Sequence, residues 1–284
     1  AGRLLTNMFR LGLFEDPYLD PEKSSRTVGR RDLCERGMEA QKASLVLLKN
    51  RNRVLPLKKG IRVYVPERHL KGCKNFFRVM EEGRTVIPLA KETGDAYFVW
   101  AKTPEEADAE IVFAESPRSE CHSKEDLEAG GNGYLPISLQ YRPYTADAAR
   151  LYSIAGGDIR ETDADRSYRG KTSLISNESD LDNILDTKRR MGDKPVIVVL
   201  RLHNPAVVSE FEKEADAIIA DFGVSAQAIL EVIFGGYAPK GKLPVIMPAD
   251  METVELHCED VFDDIRPYVD EEGSIYTAGF GLRY

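Results

Sequence analysis

The chain has 284 residues, 42% of them hydrophobic and 30% charged. That mixture buries a sizeable core in one large domain or two small ones and is not that of a disordered chain. A formal net charge of −8 argues against nucleic acid or an anionic membrane surface as partner, and no apolar run approaches the ~20 residues a helix needs to cross a bilayer.

The opening stretch AGRLLTNMFRLGLFEDPYLDPE puts Leu4, Leu5, Met8, Leu11 and Leu13 on a rough helical face before Gly12, Asp16, Pro17 and Pro21 break it. Alone, such a helix cannot bury its own stripe. DLCERGMEAQKASLVLLKN (32–50) reads as a second helix, followed by a turn through NRNRVLPLKKG. IRVYV (61–65), TVIPLA (85–90) and AYFVWA (96–101) have strand character, the second weakened by Pro88. TPEEAD (103–108) has the signature of a helix start, with Thr103 as cap and Pro104 in the first turn.

EIVFAES (110–116) is a strand and ESDLDNILDTKRRMG (178–192) a helix whose basic end suits the dipole. KPVIVVLRL (194–202) is the clearest strand of the chain. PAVVSEFEKEA (205–215) reads as helix, DAIIADF (216–222) as strand, SAQAILEVIFGG (225–236) as a helix capped by Ser225, and GKLPVIMP (241–248) as strand. Continuous apolar strands separated by helices predict an α/β fold, a mostly parallel sheet covered on both faces in flavodoxin-like layers. Ligands of such sheets bind beyond the C-terminal strand ends, here Glu115-Ser116, Leu202-His203 and Phe222-Gly223.

Cys34, Cys73, Cys121 and Cys258 form no CxxC pair, and the four histidines are equally dispersed. Reduced thiols, no metal and no cofactor are expected, with a cytoplasmic setting favoured over a periplasmic or secreted one. Residues from about 117 to 173 contain no clean βα unit. Within them EAGGNGYLPISLQYRPYTADAARLYSIAGGD carries Tyr134, Tyr141 and Tyr144 beside Arg142, residue types that binding surfaces favour. The insertion is expected to serve a binding surface or to join two copies in a homodimer.

Four stretches together resemble glycoside hydrolase family 3. RLLTNMFRLGLFEDPY is similar to the end of the family's catalytic (β/α)8 barrel, and AQKASLVLLKNRNRVLPL to the beginning of its second domain. NPAVVSEFEKEADAIIADFGVSAQAILEVIFGGYAPKGKLPVIMP resembles the back half of that domain, and YTAGFGLRY its closing segment. The resemblance implies that residues 1–40 are the last helix of a barrel plus a linker, and that 41–284 are an α/β sandwich with the insertion at 117–173. It implies the acid/base-supplying part of a retaining β-glucosidase-like hydrolase of short β-linked saccharides or glycosides, inactive without a barrel that carries the nucleophile. A β-xylosidase or β-N-acetylglucosaminidase of the same family is the nearby alternative. A non-catalytic carbohydrate-binding or sensory α/β domain is the distant one, and it has no use for a barrel-like helix at residues 1–22.

Retaining hydrolysis needs two carboxyl groups about 5–5.5 Å apart, one of them donating a proton to the leaving oxygen. Two loops supply candidates by resemblance. DADRSYRGKTSLISNESDL (163–181) is similar to the stretch that follows the family's acid/base in one pattern, which points to Glu161. ESPRSE (115–120) matches a second pattern, E-x-P-x-x-E after a strand, whose last residue is Glu120. Glu161 is preferred slightly because its flanking match is longer. Arg166 and Tyr168 are the accompanying substrate-binding candidates, although an ion pair within the loop is the preferred role for Arg166. Trp100, the single tryptophan, is expected in the core rather than as a sugar platform, His122 as an exposed loop residue and His203 in a structural role.

Overall fold

The computed structural model describes residues 1–74, 80–152, 166–258 and 261–284. The chain divides into two compact units, Ala1–Ala40 and Gln41–Tyr284. The first contains α1 (Gly2–Arg10), α2 (Pro21–Thr27) and most of α3 (Arg31–Ser44). Asp20 caps α2, its carboxylate accepting from the Glu22 and Lys23 amides at 2.9 and 3.1 Å, with Pro21 in the first turn. No residue of α1 is buried.

Among the described residues the second unit has ten strands: β1 (Val46–Asn50), β2 (Arg62–Tyr64), β3 (Arg68–Leu70), β4 (Cys73–Lys74), β5 (Met80–Glu81), β6 (Arg84–Val86), β7 (Val99–Trp100), β8 (Ala109–Glu115), β9 (Val196–Arg201) and β10 (Ala217–Asp221). Its helices are α4 (Lys91–Asp95), α5 (Lys124–Glu128), α6 (Ser179–Met191), α7 (Ala226–Ile233) and α8 (Met251–Leu256). Six strands form one sheet in the order β1-β10-β9-β8-β2-β7. All its pairs are parallel except β1 with β10. The small antiparallel pairs β3 with β6 and β4 with β5 lie outside it. The strands expected at 61–65, 110–116, 194–202 and 216–222 are thus the parallel body of an α/β sandwich.

Alternation along the strands builds two cores. On one face Val112, Val198 and Ile218 pack with Leu181 and Ile184 of α6. On the other, Ile111, Ile197 and Ile219 pack with Ile229, Leu230 and Ile233 of α7. Both faces are covered, which is why these strands read as unbroken apolar runs.

Several segments differ from the sequence reading. The helix start expected at 103–108 is a single 3-10 turn, Pro104–Glu106, with no side-chain cap bond from Thr103. The helix expected over 32–50 stops at Ser44, and Leu45 to Leu48 are all without exposure. Four consecutive buried residues suit a strand enclosed on both sides, and β1 pairs antiparallel with β10, Val46 opposite Ala220. Residues 205–215 form two short 3-10 turns, Val208–Glu210 and Glu212–Glu214, rather than an α-helix. Different partners claim their acidic side chains: Glu210 accepts from the Tyr141 and Arg142 amides, and buried Glu212 pairs with Lys49 at 2.5 Å and accepts from the Tyr268 hydroxyl. Residues 241–248 form no strand: the chain bends at Pro244 and Val245, and Pro244 and Pro248 remove two ladder donors. The segment instead bonds to the chain's closing stretch through the Leu243 and Met247 amides, to the Phe280 and Tyr276 carbonyls. A Cβ on Gly241 would stand 2.3 Å from the Leu45 carbonyl oxygen, so glycine permits this close crossing.

The insertion is anchored to the body. Tyr141, expected on an exposed binding face, is buried, and its hydroxyl donates to the Glu115 carbonyl at 2.5 Å. Tyr144 donates to Glu255 at 2.6 Å. Arg142 pairs with Glu178 and Asp182 at 2.5 and 2.6 Å. Asp126 holds the insertion's own turns, accepting from the Gly133 amide and from Lys171 Nζ at 2.7 and 2.6 Å.

Candidate active site

β8 delivers Glu115 to the C-terminal edge of the sheet, and the chain then turns through Ser116 and Pro117. Arg68, placed by the segment that follows β2, meets Glu115 there. Its Nε and Nη2 each donate to Asp180 at 2.7 Å, and its Nη1 donates to Glu115 Oε1 at 2.6 Å. Asp180 also accepts from the Glu115 amide at 3.1 Å and from Asn177 Nδ2 at 3.0 Å. Arg118 closes on the other Glu115 oxygen, Oε2, from which His203 Nε2 stands 3.3 Å away. Burial pushes the Glu115 carboxyl up, but hydrogen bonding and charge from Arg68, joined by the Arg118 and His203 charges, outweigh it and hold the group at about 2. Glu115 is therefore an ionised strut at neutral pH.

The loop beyond it is pinned from beneath. Asn177 accepts from the Arg118 amide at 2.8 Å and donates to the Glu115 and Ser116 carbonyls, the Ser176 amide donates to the Arg118 carbonyl, and the Glu120 amide donates to the Leu174 carbonyl at 2.8 Å. Ser116 Oγ accepts from the amides of His203 and Asn204, which ties the loop to the end of β9. These bonds present the Glu120 side chain, 45% exposed, with Lys71 Nζ 3.9 Å from its carboxylate. Glu120 lines an open cleft of about 300 Å³ together with Arg68, Lys71, Arg84 and Glu115.

The other expected site residues lie elsewhere or beyond description. Glu161 falls outside the described residues. The Arg166 guanidinium lies over the Tyr134 ring, 5.7 Å from its centroid. Tyr168 is half-buried, and burial followed by the Glu255 charge pushes its hydroxyl up. Trp100 packs against Phe98, donates to Asp95 at 2.9 Å and sits tightly on Gly94. His203, expected in a structural role, borders the Glu115 group. Sequence reasoning missed Arg68, Asp180 and Asn177. Their signal was positional: VPERH follows β2, and NESD opens α6, at the same sheet edge as ESPRSE. Among the described residues no cluster of His, Cys, Asp and Glu is arranged to hold a metal ion.

Residues 45–284 match the glycosyl hydrolase family 3 C-terminal domain. The chain belongs to glycosyl hydrolase family 3. It is 30% identical to the probable beta-glucosidase C of Aspergillus flavus over 99% of its own length and 34% of that protein's. It is 26% identical to the periplasmic beta-glucosidase/beta-xylosidase of Dickeya chrysanthemi, covering 99% of this chain and 33% of the relative. The chain thus spans about a third of the curated relatives it matches. Among solved structures, the beta-glucosidase of Listeria innocua in complex with isofagomine shares the fold with a TM-score of 0.54 at 17% identity, over 99% of this chain and 38% of that one. As a family 3 C-terminal domain, the chain carries the α/β sandwich that its motifs implied.

Proposed function

We propose that this family 3 domain supplies the general acid/base of a retaining β-glucosidase, and that Glu120 is the group. The observation that carries this is the contrast between the two ends of ESPRSE. Glu115 is locked between two guanidinium groups and held ionised, whereas Glu120 is presented into an open cleft at the sheet edge, where a substrate can reach it. Glu161 remains the second candidate from the motif pattern.

In this reading a (β/α)8 barrel covers the cleft and carries the nucleophilic carboxylate, and the longer relatives support such a partner. Glu120 in its acid form donates to the glycosidic oxygen as the nucleophile takes the anomeric carbon. Its carboxylate then removes a proton from the water that releases the sugar. The Glu115–Arg68–Asp180 group holds the loop that presents Glu120 and takes no part in proton transfer. The terminal sugar is glucosyl, as the names of the relatives suggest.

The test assays the chain assembled with its barrel on paired aryl β-glucosides and β-xylosides, following product anomers by proton NMR. The reading expects the β-anomer of glucose to appear first, and no turnover by this chain alone. Release of the α-anomer, or full turnover without a barrel, contradicts it.

A further inference from the structure

A second cleft adjoins the first, and the register of the sheet creates it. Glu115, Arg201 and Asp221 are partners in the last row of β8, β9 and β10. Two residues back on the same face, Phe113 and Val199 are partners in turn. The period of two therefore sets a charged row above an apolar floor. Ala226 of α7 walls one side and Pro88 another, enclosing about 260 Å³. Arg68 and Glu115 line this cleft and the Glu120 cleft alike, so the two share a wall. Each alone is no larger than the low end of ligand pockets, roughly 300 Å³. Side by side they suit a ligand made of linked units.

The chemistry of the second cleft selects the unit. Two positive groups, Arg68 and Arg201, face two negative ones, Glu115 and Asp221, so the lining carries no surplus charge for an anionic ligand. Asp221 is buried and committed: it takes Arg201 Nε at 2.8 Å and the amides of Gly223 and Val224, both at 2.8 Å. Arg201 gives Nη2 to the Val224 carbonyl, and its Nη1 makes no hydrogen bond among the described residues. That leaves a fixed donor over an apolar floor. A pyranose ring, with an apolar face and a hydroxyl rim, matches it. A purely apolar aglycone would bury the charged row without hydrogen bonds in return.

We propose that this cleft is a subsite for a neutral sugar unit on the leaving-group side, beyond the unit held at Glu120, so that the enzyme favours β-linked chains of three or more sugars. The inference rests on the function proposed above. The test compares kcat/KM for a β-linked disaccharide and the matching trisaccharide, with the chain assembled with its barrel, as wild type and as Ala226→Trp. That substitution fills the cleft from a position outside the catalytic groups, and Pro88→Trp fills it from another wall should the first variant fail to fold. Expected is a trisaccharide advantage on the order of tenfold in the wild type. The filled variants should lose that advantage and keep the disaccharide rate. Equal rates on both lengths in the wild type, or an advantage that survives filling, overturns the subsite.

Hydrolysis of neither sugar would count against the parent reading instead. Saturation-transfer NMR on the chain with the trisaccharide then reads the subsite directly. Transfer to the wild type that Ala226→Trp abolishes supports it, and absence of transfer overturns it.

Discussion

Arg68 and Asp180, 112 residues apart in sequence, meet in a two-pronged ion pair at 2.7 Å on both arms, with the Asp180 side chain wholly shielded from solvent. The same guanidinium reaches Glu115, so one side chain joins the start of β3, the end of β8 and the start of α6. A planar fork of donors allows this where a lysine would not.

Arg68→Met should therefore be severe. It leaves Asp180 buried without its cation, a loss worth about 3–5 kcal/mol in comparable pairs. Urea denaturation of the chain should show a matching drop. Arg68→Lys should recover only part of it, because an ammonium cannot serve both carboxylates with the same geometry.

Glu110 gives a pH signature. It is buried, neither carboxyl oxygen has a hydrogen bond of normal geometry, and burial, offset in part by Thr187 and Arg190, pushes it up to about 7. A raised carboxyl leaves stability intact below its ordinary value near 4.5 and costs stability as pH rises from there to about 7. At ~1.36 kcal/mol per unit the loss approaches about 3 kcal/mol. Glu110→Gln should match the wild type at pH ~5 and exceed it at pH ~8 in urea midpoints.

Glu115 acts in the opposite sense. Held at about 2, it contributes stability that is present above the ordinary carboxylate value and lost as pH falls toward its own. Glu115→Gln should flatten that acid-side loss. In the assembled enzyme it should slow good and poor leaving groups alike, since it disturbs the loop rather than the proton supply. A defect confined to poor leaving groups would make Glu115 the proton donor.

Much of this was legible in the sequence. β8, β9 and β10 announced themselves as continuous β-branched runs because helices cover both sheet faces. β1 did not, since LVLLKN continues a helical pattern until its antiparallel pairing with β10 is known. The tyrosines of the insertion looked like a binding face because composition cannot tell an exposed tyrosine from Tyr141, whose ring is buried while its hydroxyl finds a backbone carbonyl. Arg68 and Asp180 were invisible for a similar reason: each is an ordinary charged residue until the parallel crossovers bring the strand ends together. The ESPRSE motif marked the right loop, but the different environments of Glu115 and Glu120 exist only in three dimensions.

The most direct test of the account is the leaving-group dependence of Glu120→Gln in the enzyme assembled with its barrel. An alkyl β-glucoside needs the donated proton and should lose about 10²–10⁴-fold. A dinitrophenyl β-glucoside should form the glycosyl-enzyme readily and then stall, and azide, which needs no base, should restore turnover and yield the β-glucosyl azide. If Glu120→Gln behaves like the wild type on both substrates while Glu161→Gln shows the split and the azide rescue, the assignment of the proton to Glu120 is wrong.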